Sequence, residues 1–287
     1  VSNRLSIQKT YKLYIGGKFP RTESGRYTKL SSAKGEYIAN MCIASRKDFR
    51  DAVRAARSAF SGWQDKTAYN RGQILYRIAE MMEGRTTQFS QELTLQGLTR
   101  NQADREVEAS IDRMVYYAGW ADKFQQLAST VNPVSSSHFN FSVPEPMGVV
   151  VIIAPETPSL LGLTSQMAPV ILSGNTVVVL ASESMPLCAI TFGEVIHSSD
   201  VPGGVVNILT GTKSELLPHM SSHMDVNAIS YCGNNEDERK LVGESAAENV
   251  KRVKYYSQPY RNDRGNESLY HILDFVEIKT TWHPVGI

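Results

Sequence analysis

Three short apolar runs, Val149–Ala154, Thr176–Leu180 and Val205–Leu209, stand out along the chain. Each is rich in β-branched residues and closed by a turn signal, the pattern of a strand buried on both faces. The segments between them, Pro158–Leu172 and Pro186–Ser199, are long enough for helices. Strand, helix, strand, helix, strand predicts a parallel sheet with right-handed crossovers. Further on, His223–Gly233 reads as a fourth strand ending in a glycine turn, Asn234–Asn249 as a charged helix and Val250–Tyr256 as a fifth strand. The pattern is that of an α/β protein with a five-stranded parallel sheet. A crevice at the carboxyl ends of such strands suits a dinucleotide.

The chain before this core is patterned differently. Tyr11–Tyr27 alternates apolar and polar residues around Gly16-Gly17, which predicts a hairpin. A helix is expected to start near Ser45, with Asp48 as its capping-box partner. Phe49, Val53, Ala56 and Phe60 then recur at helical spacing, and Trp63 closes the segment. Asn70–Gly84 and Arg105–Leu127 read as two more amphipathic helices that cover one face of the sheet. Tyr116, Tyr117 and Trp120 fit helical packing better than an aromatic box. Ser129–Glu145 turns polar and then alternates as HFNFSV, an exposed β-flap carrying His138 on its surface. Ser257–Ser268 reads as a linker or loop, and Leu269–Ile287 contains the alternating run DFVEIKTTW.

Composition narrows the function classes. The 287 residues, 41% hydrophobic with a formal net charge of +1, describe one or two ordinary domains. No basic excess points to nucleic acid, and no run approaches the roughly 18 apolar residues of a membrane helix. The first residues lack the apolar stretch of a secretory signal, so a cytoplasmic protein is expected. Three cysteines, Cys42, Cys188 and Cys232, form no metal-ligand spacing, and their odd number argues against a disulfide framework.

PMGVVVIIAP, APVILSGNTVVV, SE, MPL and VPGGVVNILTG, in this order and spacing, resemble the cofactor-binding core of the aldehyde dehydrogenase superfamily. The resemblance runs from about Tyr11 to Lys254. It implies a Rossmann-like domain formed by residues 1–128 and 146–256, and an oligomerisation flap and terminal strand in residues 129–145 and 269–287. Residues 257–268 would then be a linker standing where the family's catalytic domain belongs. In this the chain resembles the non-catalytic second half of two-domain aldehyde dehydrogenases.

The chemistry implied by the family needs a cysteine nucleophile, an amide for the oxyanion, a glutamate base and a nicotinamide. The nucleophile belongs to the missing domain. The amide follows a Pro-Trp pair after the first strand, where this chain has Pro155, Glu156 and Thr157. The glutamate ends the fifth strand, where this chain has Tyr256. Cys188 and Cys232 are the candidate substitutes, the first opening a helix whose N-terminus could lower its pKa and the second ending a strand beside Gly233; both read as buried small apolar residues. No catalytic residue and no metal ligand is assigned. Of the cofactor-binding residues, Ser182, Glu183, Gly211 and Gly233 remain as vestiges. Leu180 replaces a lysine and Glu238 replaces a glycine, and Asp237 and Glu238 oppose an anion at a helix N-terminus. The expectation is a pseudoenzyme without bound cofactor, NAD being the one the resemblance allows. It would act as a homo-oligomer or as a hetero-oligomer with a catalytic aldehyde dehydrogenase. The alternatives are an NAD(P)-binding oxidoreductase subunit that needs a catalytic partner chain, and a nucleotide or metabolite sensor.

Overall fold

A computed structural model describes residues 7–32, 35–256 and 267–286. Strands β1 (Thr10–Tyr11), β2 (Tyr27–Ser31) and β3 (Tyr37–Cys42) form a small sheet in the order β1-β3-β2. Helices α1 (Arg46–Gln64), α2 (Ala68–Glu83), α3 (Thr86–Leu95), α4 (Arg100–Ala118) and the short α5 (Phe124–Ala128) follow. Strands β4 (Thr130–Asn132) and β5 (His138–Pro146) begin an arm. The core alternates: β6 (Val149–Ile153), α6 (Ser159–Leu172), β7 (Thr176–Leu180), α7 (Leu187–His197), β8 (Val206–Leu209), α8 (Lys213–Ser222), β9 (Ala228–Cys232), α9 (Glu236–Ala247) and β10 (Arg252–Tyr256). A short helix α10 (Tyr270–Leu273) and strand β11 (Val276–Pro284) close the described chain.

The core strands pair in parallel in the order β10-β9-β6-β7-β8. The chain therefore enters at the centre, winds outward through β7 and β8, then returns to add β9 and β10 on the other side of β6. This reversal is the topological switch point of a doubly wound sheet. Val150, Ile152, Val177, Val179, Val206 and Ile208 pack with α2, α3, α4, α6 and α7. Val149, Val151, Ile153, Val178, Leu180 and Ile229 face α1, α8 and α9 instead. Burial on both faces is why these strands read as unbroken apolar runs.

Two local devices fix the ends of elements. The Ser45 capping box forms, with the Ser45 N–H donating to Asp48 Oδ2 at 2.8 Å and the Asp48 N–H to Ser45 Oγ at 3.3 Å. Asn175 lies buried in the turn before β7. Its Nδ2 donates to Ser173 Oγ and to the Phe275 carbonyl, both at 2.8 Å, and its Oδ1 accepts from the Gly148 N–H at 2.9 Å.

Several expected elements differ. The Gly16-Gly17 turn forms, at φ +61° and +76°, but its two sides do not build an extended hairpin. Tyr14 instead exchanges backbone hydrogen bonds with Ile208 on the edge of β8, and β2 pairs with β3. A Cβ on Gly17 would lie 2.9 Å from Gly203 Cα, so the turn seats directly on the Pro202-Gly203-Gly204 loop. The helix expected over 105–127 begins at Arg100, under a Thr99–Gln102 capping box, and stops at Ala118 before a turn into α5. Helices α3 and α8 had no sequence forecast, the first because its buried apolar residues are only Phe89 and Leu93, the second because Pro218 lies inside it. Residues 257–266 of the expected linker lie outside the described residues.

The flap and the last strand form one antiparallel sheet in the order β11-β5-β4. The β5–β11 ladder runs from Val276 opposite Pro146 to Pro284 opposite His138.

Candidate functional site

The carboxyl ends of the strands gather three carboxylates, two from loops and one from the first turn of a helix. After β6, the Glu156 carboxylate accepts the Ser184 N–H at 2.9 Å, the Ser184 hydroxyl at 2.8 Å and the Ser182 hydroxyl at 3.0 Å. After β7, Glu183 Oε2 accepts the Lys213 N–H at 2.9 Å, in the first turn of α8. After β9, Glu238 accepts the Tyr231 hydroxyl and pairs with Lys213 Nζ at 3.0 Å. Lys213 is thus held twice, by its amide and by its ammonium. The first turn of α9 is capped from within, the Asn235 side chain accepting the Glu238 N–H at 3.2 Å.

Of the four residues singled out from the sequence, Ser182, Glu183 and Gly211 share a cleft of about 210 Å³, whose walls include Leu30, Met41 and Ile43. Gly233 lies apart from it. A Cβ there would come within 2.8 Å of the Tyr231 hydroxyl, so this glycine clears the way for that group. Gly211 is likewise required by close packing, since a Cβ would stand 3.2 Å from the Ala44 nitrogen and from Leu216 Cδ1.

At the end of β10 a second polar group is assembled that the sequence did not disclose. The Tyr256 hydroxyl donates to Asp274 Oδ2 at 2.8 Å, and Lys254 Nζ pairs with Asp274 Oδ1 at 2.6 Å. The Tyr256 ring meets His271 edge-on at 5.5 Å, and His271 Nδ1 shares a 3.1 Å hydrogen bond with the Tyr117 hydroxyl. Burial holds the His271 pKa below its ordinary value, against the opposing pull of Asp274. Neither His271 nor Asp274 sits in a recognisable motif; what unites them with Tyr256 is the return of the chain.

The thiols are inert by environment. All three cysteines are buried and free. Burial raises the Cys188 thiol well above its ordinary value, with Glu92 adding to the effect, so the helix N-terminus does not activate it. Burial pushes Cys232 up to about 11, with Arg239 opposing. Among the described residues no cluster of His, Cys, Asp or Glu is arranged to hold a metal.

A family model described as the aldehyde dehydrogenase family matches residues 19–255. The chain belongs to this family. Chicken (Gallus gallus) retinal dehydrogenase 2 is 36% identical over 256 residues, which is 87% of this chain and 48% of that protein. Mouse (Mus musculus) cytosolic 10-formyltetrahydrofolate dehydrogenase is 33% identical over 260 residues, 87% of this chain but 28% of that one. The NAD+ complex of the Bacillus cereus aldehyde dehydrogenase superposes with a TM-score of 0.82 at 27% identity, covering 86% of this chain and 50% of that chain. This aldehyde dehydrogenase family member thus spans about half, or less, of the length of these relatives. Among its described residues no helix is long and apolar enough to cross a membrane.

Proposed function

We propose that this protein is a non-catalytic aldehyde dehydrogenase family member that works by association, as a homo-oligomer or as a partner of a complete aldehyde dehydrogenase in the cytoplasm. The observation that carries the reading is at Tyr256. This residue stands where the resemblance puts the general base, and its hydroxyl is committed to Asp274. A half-buried phenol, its hydroxyl already engaged by a carboxylate, does not activate water at neutral pH. Glu156 and Thr157, standing where an amide is expected, supply no oxyanion donor of that kind, and Glu156 is itself tied to Ser182 and Ser184.

The arm supports association. Val131, Phe139, Phe141 and Val143 share one face of its sheet and border an apolar groove of about 300 Å³. Val131 is 69% and Phe139 45% exposed, which a sheet face of this kind keeps only where a partner covers it. The test is capture of the tagged chain from its native cells, with the mass of the complex measured. Recovery of a complete aldehyde dehydrogenase, or a stable homo-oligomer without aldehyde oxidation, is expected. A monomer that recovers neither sinks the reading.

A second reading rests on the cleft. Ser182 and Glu183 persist beside it, and a solved relative holds NAD+. If the chain is an NAD(P)-binding subunit completed by a catalytic partner, mixing the two raises turnover and Glu183→Ala abolishes the gain. A metabolite sensor would instead show thermal stabilisation by ligand without turnover.

A further inference from the structure

A dinucleotide at the carboxyl ends of a doubly wound sheet needs unengaged N–H groups and a cation to receive its pyrophosphate. In this chain those groups are engaged from within. The Lys213 N–H is bonded to Glu183, the Lys213 ammonium is paired with Glu238, and the Glu238 N–H is bonded to Asn235. On the neighbouring loop the Ser184 N–H is bonded to Glu156. Glu238 is held in turn by the Tyr231 hydroxyl, which Gly233 leaves room to pass. The residues present do not fit a dinucleotide, and the misfit is built rather than accidental, because the carboxylates come from segments after three separate strands.

We infer that Lys213 is the centre of an internal lock beside the cleft, in which Glu183 takes up its amide and Glu238 its ammonium, the donor and the cation that a dinucleotide's phosphates would need. The inference rests on the non-catalytic reading and adds a mechanism to it. The lock is electrostatic at its centre. Removing the charge of Glu238 frees the Lys213 ammonium from its ion pair beside two helix N-termini, and an anion can then take the place of the lost carboxylate. In a mixed oligomer this subunit would hold no NAD, so the cofactor count would equal the number of complete subunits.

The test is calorimetric titration of inorganic pyrophosphate and of NAD+ into the full chain and into Glu238→Gln, whose amide still accepts the Tyr231 hydroxyl. Thermal midpoints confirm that each variant is folded. The wild type is expected to bind neither ligand at 1 mM, on the order of the weakest affinities such titrations resolve. Glu238→Gln should bind pyrophosphate at least about tenfold more tightly than the wild type, and Lys213→Met in that background should abolish the gain. Micromolar NAD+ binding by the wild type would overturn the lock, as would a Glu238→Gln variant no better than wild type. Neither result would touch the non-catalytic reading, which fails only by turnover or by the absence of any partner.

Discussion

Asn175 joins three parts of the molecule with one side chain. Its bonds reach Ser173 in its own turn, Gly148 before β6 and Phe275, which lies 100 residues further along the chain. The site is dry, with Asn175 fully buried and Phe275 1% exposed. Replacement by the similarly sized Leu leaves a buried N–H at Gly148 and a buried carbonyl at Phe275 without partners. Each such group costs about 1–3 kcal/mol. Asn175→Leu should therefore lower the unfolding free energy by about 2–5 kcal/mol, read as a shifted urea midpoint at unchanged slope. The Gly-Asn-Thr triplet was legible in the sequence as a family signature. Its physical purpose was not, because two of the three partners are distant in sequence. The same limit applies at Tyr256, where a departure from the family pattern was visible but the Asp274 that engages it was not.

The elements show a similar division. Strands β6 to β9 were readable because burial on both faces leaves a continuous apolar run, and α1 because its capping box is local. Helices α3 and α8 escaped, having few apolar residues and an internal proline respectively. Helix α10 is too short to announce itself, yet it fastens the returning chain to the domain, with Ile272 fully buried and His271 against α4 and β10. The groups facing His271 are Tyr117 and Arg113 from α4, Tyr256 from β10 and Asp274 beyond its own helix. Because its folded pKa lies below the ordinary 6.5, the unfolded chain binds the proton more readily. The seam therefore contributes its full stability above pH 6.5 and loses it as pH falls through the folded value. Unfolding free energy measured between pH 8 and pH 5, a range on the order of the usual histidine window, should decline, and His271→Gln should flatten part of that decline. His223, also lowered by burial, acts in the same direction.

At the scale of the molecule, the described residues form a doubly wound five-stranded sheet and a separate three-stranded antiparallel sheet. The alternation of strands and helices followed from the order of apolar runs, but the placing of β9 and β10 on the far side of β6 did not. The alternation of HFNFSV and DFVEIKTTW marked two strands and the family resemblance implied that they pair, though the nine-residue strand β11 exposes most of its side chains and gives a weak signal. On the proposed reading, the arm is where association can be separated from folding. Phe139→Glu places a charge on a residue already 45% exposed, so the thermal midpoint should stay within about 2 °C while the oligomeric mass measured by light scattering falls. An unchanged mass would move the interface elsewhere.

The Gly16-Gly17 turn has one more effect. By laying Tyr14 along β8 it engages the N–H and the carbonyl of Ile208 at one border of the main sheet, while β10 borders the other with Arg252 and Lys254. An edge blocked at its middle and a charged edge opposite it both disfavour the edge-to-edge stacking by which a sheet with this much β-branched sequence would grow into fibres.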